Sequence, residues 1–111
     1  NKHFNSYGDL SKAVEGAEGS FKILMSHDPS LWRASILTEH RNIDLTLSGH
    51  THAMQFSLLG WSPSALIFDE YRGLYSENKQ FLYVNIGLGE TFFTARIGAA
   101  PEITVLNLSK K

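Results

Sequence analysis

Two short apolar runs separated by a helical pattern constrain the fold of this 111-residue chain more than any other feature. Residues 21–26 and 44–48 are each the length of one buried strand. Between them, Ser30 predicts the start of a helix that runs to about residue 40, with its apolar residues at helical spacing. A strand, a helix and a second strand normally give parallel neighbours. The sequence therefore predicts a β-α-β unit.

The rest of the chain predicts a short helix and a β-rich half. Residues 1–19 are polar and rich in glycine, and we expect a loosely packed segment with a helix that Asp9 starts. Residues 59–111 predict antiparallel strands and hairpins, the strands lying at 65–68, 71–75, 80–86 and 102–108. No linker-like composition separates these parts from residues 20–58, so we expect a single structural unit over 1–111.

Composition excludes several kinds of function. Charged residues make up 19% and hydrophobic residues 42%, which is typical of a globular domain. The net charge of -1 gives no reason to expect nucleic acid as a partner. There is no cysteine, which excludes disulfides, thiolate zinc sites and a cysteine nucleophile. No apolar run approaches the ~20 residues that span a bilayer, and the chain starts without methionine, so we expect any targeting signal to lie upstream.

Three of the five histidines follow the two predicted strands directly. His27 comes after the first strand, and His50 and His52 come after the second. Ligands of a parallel sheet gather at the carboxyl edge of its strands, and neutral imidazole is the commonest metal ligand in proteins. Side chains of an extended His-x-His segment point to opposite sides, so they suit two adjacent metals, or one metal and a substrate. The sequence predicts a metal site at His27, His50 and His52.

The other candidate residues favour structural roles. His3 lies near a terminus, where a solvated position is expected, and His40 lies in the last turn of the predicted helix, where it complements the helix dipole. Asp69 and Glu70 predict a solvated loop. Gly87 and Gly89 precede no helix, so a tight turn is expected there instead of a phosphate-binding loop. We expect the large aromatic residues in the core, namely Trp32, Trp61, Phe81, Tyr83, Phe92 and Phe93.

The two histidine segments resemble a known pair of motifs. Residues 23–29 (ILMSHDP) and 44–52 (DLTLSGHTH) are similar to the last two motifs of the calcineurin-like metallophosphoesterases. Residues 82–89 and 96–106 resemble the closing segments of a bacterial, often membrane-anchored subgroup of that family. The resemblance extends over residues 20–108. It implies an α+β sandwich of two sheets flanked by helices, of which this chain would be the C-terminal half.

The resemblance also implies a reaction and its metals. His27 and His50 would bind one divalent transition metal and His52 a second, with manganese, iron or zinc as candidates. The metals would activate a hydroxide that hydrolyses phosphomonoesters or phosphodiesters. The bridging aspartate and the histidine that protonates the leaving group belong to earlier motifs, which residues 1–26 lack. We therefore expect no catalytic residue in this chain, and little activity from it alone. One local departure is Ala53-Met54-Gln55, where many relatives have two glycines and a glutamine.

Two other functions are compatible with the same residues. A phosphoesterase fold can lose catalysis and serve as a protein-interaction module, and the histidines could be structural residues of an unrelated α/β domain. The enzymatic interpretation implies a phosphoester substrate, and a bacterial protein located in the cytoplasm or at a membrane to which a missing N-terminal region attaches it. Strands that lack their partners would also favour self-association.

Overall fold

The computed structural model describes residues 8–19, 21–91 and 94–109. Helix α1 spans Leu10–Val14, and helix α2 consists of a π-helical turn, Trp32–Ile36, continued by an α-helical turn, Leu37–Glu39. The strands are β1 (Ile23–Ser26), β2 (Leu45–Ser48), β3 (Gly73–Glu77) and β4 (Gln80–Val84), and two 3-10 turns span His52–Gln55 and Pro63–Leu66.

The four strands form one mixed sheet in the order β1-β2-β4-β3. Strand β2 pairs in parallel with both β1 and β4, and β3 pairs with β4 as an antiparallel hairpin. The predicted β-α-β unit and the hairpin are therefore confirmed. With a mixed sheet and few helices, the chain has the α/β content expected of part of an α+β sandwich.

Side-chain caps define the starts of both helices. The Asp9 carboxylate accepts a hydrogen bond from the Lys12 amide at 3.1 Å, as the sequence predicts for α1. The prediction that Ser30 caps the second helix is wrong, because residues 30–31 are already helical, directly ahead of the π-helical turn, and the Ser30 amide donates to Asp28 Oδ1 at 2.9 Å. Asp28 therefore supplies the cap, followed by Pro29, which suits the first helical position because it lacks an amide hydrogen.

Helix α2 packs on one face of the sheet and forms the main core with it. The buried members are Trp32, Ile36, Leu37, Ile43, Leu82 and Val84. The buried Gln80 side chain donates to the main-chain oxygens of Ile43 at 2.9 Å and His40 at 3.2 Å. This pair of bonds fixes the end of α2 to the start of β4. His40 caps α2 at this point, so it lies at the helix end as predicted.

Two predicted strands are absent from the residues that the structure describes. Residues 63–66 form a 3-10 turn instead of contributing to a strand at 65–68, because Pro63 fixes its start and Ser62 Oγ accepts from the Ser64 amide at 3.2 Å. Residues 98–109 belong to no strand, so the predicted strand at 102–108 is wrong. Side chains attach this segment to the sheet, since Thr104 Oγ1 lies 2.9 Å from the Tyr83 hydroxyl.

The burial predictions hold for some residues and fail for others. Trp32 is buried in the core as expected, but Trp61 and Phe81 are half-exposed. Glu70 is buried and accepts a hydrogen bond from Arg33 Nε at 2.6 Å, so its predicted solvated position is wrong. His3, Phe92 and Phe93 lie outside the described residues.

Candidate metal centre

His27 and His50 meet at the carboxyl edge of the sheet. Ser26 and Ser48, which are paired in register, end β1 and β2, so the next residues of both strands leave the sheet side by side. The Gly49 amide donates to the His27 carbonyl oxygen at 3.3 Å and holds the two loops together. His50 Nδ1 then lies 2.7 Å from His27 Nε2, with the rings nearly perpendicular at 78°. One of these nitrogens carries the hydrogen and the other accepts it.

The imidazoles of His27 and His50 are suitable metal ligands, and the distance between their nitrogens is close to the one that a shared metal ion requires. Two imidazole nitrogens bound to one tetrahedral zinc lie ~3.3 Å apart, given metal–nitrogen distances of ~2.0–2.1 Å. The 2.7 Å between His27 Nε2 and His50 Nδ1 is shorter, so a small opening of the pair would admit an ion. Both side chains are exposed, which leaves room for further ligands.

His52 lies in a separate, more enclosed position. A side chain at Gly87 would meet the His52 ring at 3.6 Å, and the Arg96 guanidinium lies 3.3 Å from His52 Nδ1. Burial lowers the pKa of His52 below its ordinary value, and the positive charges of Arg96, His50 and His27 lower it further. Within residues 8–19, 21–91 and 94–109, no three His, Cys, Asp or Glu side chains are gathered closely enough to hold a metal ion by themselves.

The backbone is strained at His50 and His52 and in the residues that follow His52. His50 has a φ of 68°, and His52, Ala53, Met54 and Gln55 follow with φ values between 46° and 56°. Non-glycine residues adopt this left-handed region rarely, and such residues cluster at functional sites. Positions 53 and 54 are those where the family resemblance implies glycine. The strain accounts physically for that preference.

Gln55 and Arg96 hold the turn in place, and sequence reasoning missed both. The fully buried Gln55 amide donates to the Ala95 carbonyl oxygen at 2.7 Å, and its Oε1 accepts from Thr91 Oγ1 at 2.7 Å. Arg96 donates to the main-chain oxygens of Ile86 at 2.8 Å and Ala99 at 3.2 Å. The available signal for Gln55 was its place in the segment that follows the histidine motif, where many relatives also have glutamine. Arg96 had none, because its partners are main-chain oxygens of the surrounding loops and the His52 ring, and no sequence motif marks them.

Asp28 and Phe68 border the histidine pair. Burial opposes ionisation of the Asp28 carboxyl, but hydrogen bonding to Ser30 and the charges of His50 and His27 lower its pKa below the ordinary value. The Phe68 ring packs edge-on against His50 with centroids 5.7 Å apart. The pair therefore has an anionic neighbour on one side and an apolar ring on another.

The chain is similar over most of its length to proteins named metallophosphoesterases. It is 39% identical over 93 residues to the uncharacterized metallophosphoesterase YkuE of Bacillus subtilis, and 36% identical over 114 residues to an uncharacterized metallophosphoesterase of Helicobacter pylori. It is also 37% identical over 109 residues to a bovine protein, "Transmembrane protein with metallophosphoesterase domain". These alignments cover 79%, 99% and 96% of this chain, respectively. No family model matches the chain, and no solved structure matches it significantly.

The matched proteins, the mixed sheet and the histidines at its edge define the class as metallophosphoesterase. More particularly, the chain belongs to the calcineurin-like metallophosphoesterase family. It spans only 31%, 24% and 30% of the YkuE, bovine and Helicobacter relatives, respectively. Helices long and apolar enough to cross a membrane are absent from the parts of the chain that the structure describes.

Proposed function

We propose that this chain supplies three ligands of the dinuclear metal centre of a phosphoesterase. His27 and His50 bind one divalent transition metal and His52 binds the other, and the remaining ligands come from sequence outside these 111 residues. The observation that supports this assignment is the 2.7 Å approach of His27 Nε2 and His50 Nδ1 at the edge of two paired parallel strands. The chain would then be one structural part of a longer enzyme, since it spans less than a third of the YkuE, bovine and Helicobacter relatives.

The chain's own residues have separate tasks in this centre. When bound, manganese, iron or zinc would supply Lewis-acid activation of water and of a phosphoryl oxygen of a phosphomonoester or phosphodiester. His27 and His50 present ring nitrogens to the open edge of the sheet, and the Arg96 guanidinium lies 3.3 Å from Nδ1 of His52. The Asp28 carboxylate adds negative charge beside the pair, which favours a bound cation.

The 111 residues alone would bind metal weakly and hydrolyse phosphoesters poorly. A dinuclear site needs more ligands than three histidines, and the described residues contain no group of three ligand side chains that could hold an ion. We expect weak manganese binding to the isolated chain by calorimetry, reduced further in His50→Ala. Tight, stoichiometric binding of two metals to the isolated chain would contradict the need for outside ligands.

The test of the ligand assignment uses the full-length protein, an aryl phosphate and added manganese. Removal of groups that merely support a metal ligand costs 10–100-fold in affinity or activity, so we expect His50→Ala to lose at least about 100-fold. His40→Ala is the matched control, because His40 lies at the end of α2. This variant should keep the activity of the wild-type protein. Equal activity of His50→Ala and wild type would refute the assignment.

A further inference from the structure

An uncharged, partly exposed loop follows the histidine turn directly. The apolar loop, defined as residues 53–68, contains no Asp, Glu, Lys or Arg in sixteen consecutive positions. Many of its large apolar side chains face solvent: Met54, Leu58, Leu59, Trp61, Leu66 and Ile67. Large exposed apolar patches mark surfaces that bind a partner. The described structure leaves this patch uncovered beside the candidate metal centre.

The tip of the apolar loop presents a leucine at a conformational cost. Leu58 and Trp61 exchange backbone hydrogen bonds of 2.8 and 3.0 Å, which close a two-residue turn. Leu59 and Gly60 occupy this turn with φ values of 50° and 85°. Glycine or asparagine suits a left-handed first position, whereas leucine is strained there. Leu59 is 100% exposed, so packing within the chain does not offset the free-energy cost of that strain.

Hydrogen bonds hold the apolar loop against the histidine turn. The buried Ser62 hydroxyl donates to the Ala53 carbonyl oxygen at 2.6 Å, and the Tyr71 hydroxyl donates to the Gly60 carbonyl oxygen at 3.0 Å. At its far end, the Phe68 ring packs against His50. Whatever binds the tip of the loop is therefore brought to the edge of the sheet that carries the histidines.

We propose that the apolar loop is a membrane-contact surface that inserts Leu58, Leu59 and Trp61 into the interfacial region of a lipid bilayer. Half-exposed tryptophan suits this region, since its ring is apolar and its indole N–H remains hydrated. The tip carries no charged side chain, so its contact with a bilayer would be apolar and would not depend on anionic lipid. This contact would hold the histidine edge next to phosphoesters displayed at a lipid surface. The binding itself does not require that the centre be catalytic.

The test measures binding of the 111-residue chain to zwitterionic phosphatidylcholine vesicles by co-sedimentation. We expect wild type to bind and Leu59→Asp to bind at least about tenfold more weakly, since it replaces a buried leucine in the complex by a charge. Leu59→Asn is the second variant, because asparagine accepts the left-handed φ and preserves the turn. It should also weaken binding while the circular dichroism spectrum stays unchanged. The matched control is Val105→Asp, whose side chain is 79% exposed elsewhere and whose binding should equal wild type.

Fluorescence locates the contact. Trp32 is buried in the core, so a blue shift on adding vesicles, and quenching by brominated acyl chains, must come from Trp61. Trp61→Phe should keep most of the binding and lose the shift. Unchanged binding of both Leu59 variants, or no binding by wild type, would overturn the proposal. It would be overturned equally if Leu59→Asp converted a lipid-free dimer to a monomer, because the loop would then be an interface between copies of the chain.

Discussion

Left-handed backbone at four consecutive non-glycine residues, His52 to Gln55, is the largest local strain of the site. Each such residue costs roughly 1–2 kcal/mol relative to the right-handed region. Ala53 and Gln55 offset this cost by burial, but Met54 is exposed and gains little. The rest of the fold must therefore stabilise the turn that positions His50 and His52.

We expect Met54→Gly to leave the free energy of unfolding unchanged or to raise it by up to about 1 kcal/mol, since glycine relieves the strain and costs only chain entropy. Ala34→Gly is the control, because Ala34 is exposed in α2 at an unstrained position and should lose about 1 kcal/mol. Urea unfolding of both variants measures the difference. Equal losses would show that position 54 carries no strain.

Glu102 predicts a pH dependence of stability. Its carboxylate accepts hydrogen bonds from the Tyr83 hydroxyl and from Thr104 Oγ1, the latter at 2.6 Å. Burial opposes ionisation, but these hydrogen bonds and the charge of Arg72 lower the pKa of Glu102 below its ordinary value of 4.5. The stability it contributes is therefore present above pH 4.5 and is lost as the pH falls through the lower pKa of the folded state.

We expect Glu102→Gln to reduce the stability difference between neutral and acidic pH. Thermal unfolding at pH 7 and pH 3 should show wild type losing more stability on acidification than the variant. Glu18→Gln, at an exposed position, should behave like wild type. A variant with the pH response of wild type would show that Glu102 is not the group responsible.

For single residues, the sequence predicted the placement of only some members of the candidate metal centre. The approach of His27 and His50 follows from two strand ends on one edge, because parallel register brings residues 26 and 48 side by side. The position of His52 does not follow, because a His-x-His segment was expected to be extended and the turn is left-handed instead. Glu70 could not be identified as buried, since its partner Arg33 lies 37 residues earlier.

At the scale of secondary-structure elements, the isolated β-bridge between Phe56 and Ile97 depends on Gly98. Ile97 pairs with Phe56, and the Ser57 amide donates to the Ile97 carbonyl oxygen at 2.7 Å. A Cβ at position 98 would overlap the Ser57 carbonyl oxygen, and Gly98 also has a φ of 68°. Only glycine fits both constraints. This bridge supports the small second core of Ala53, Ile86 and Ala99 beneath the histidine turn.

We expect Gly98→Ala to destabilise the chain by about 3 kcal/mol or more, because backbone atoms must move to accept the methyl group. Gly16→Ala separates the two causes: Gly16 has a φ of 75° but no atom within 4 Å of an added Cβ. That variant should lose only about 1 kcal/mol, the cost of the left-handed conformation. Chemical denaturation measures both, and similar losses would refute the clash.

Elements bounded by strong local signals were predictable, and the others were not. The apolar runs at 21–26 and 44–48 predicted the bounds of β1 and β2 to within two residues. The aromatic run at 80–86 predicted β4 equally well. The segment at 65–68 has strand-forming residues, but Pro63 and the Ser62 cap select a 3-10 turn. The π-helical turn of α2, which buries Trp32 and Ile36 in the core, has no local sequence signal.

For the whole molecule, the sheet has one covered face and one partly exposed face. Cross-strand partners share a face, so Met25 lies with Leu47, Tyr83 and Leu74, opposite the core residues of β4. Met25 is 84% exposed, and Ile23, Leu74 and Phe81 are also exposed on this side. Sequence patterns alone did not distinguish the two faces, because apolar residues occupy both. An exposed apolar face on a sheet with an edge strand favours association.

We therefore expect the isolated 111-residue chain to self-associate through this face. Light scattering should give a mass above the 12.4 kDa of one chain, decreasing on dilution. Met25→Lys should shift the population towards monomer, because association would then bury a lysine charge in apolar surroundings. Leu66→Lys is the matched control: Leu66 is exposed to a similar extent, in the apolar loop, and its variant should associate like wild type. A wild-type chain that stays monomeric at high concentration would contradict this expectation. Dissociation by Leu66→Lys and not by Met25→Lys would move the interface from the sheet to the loop.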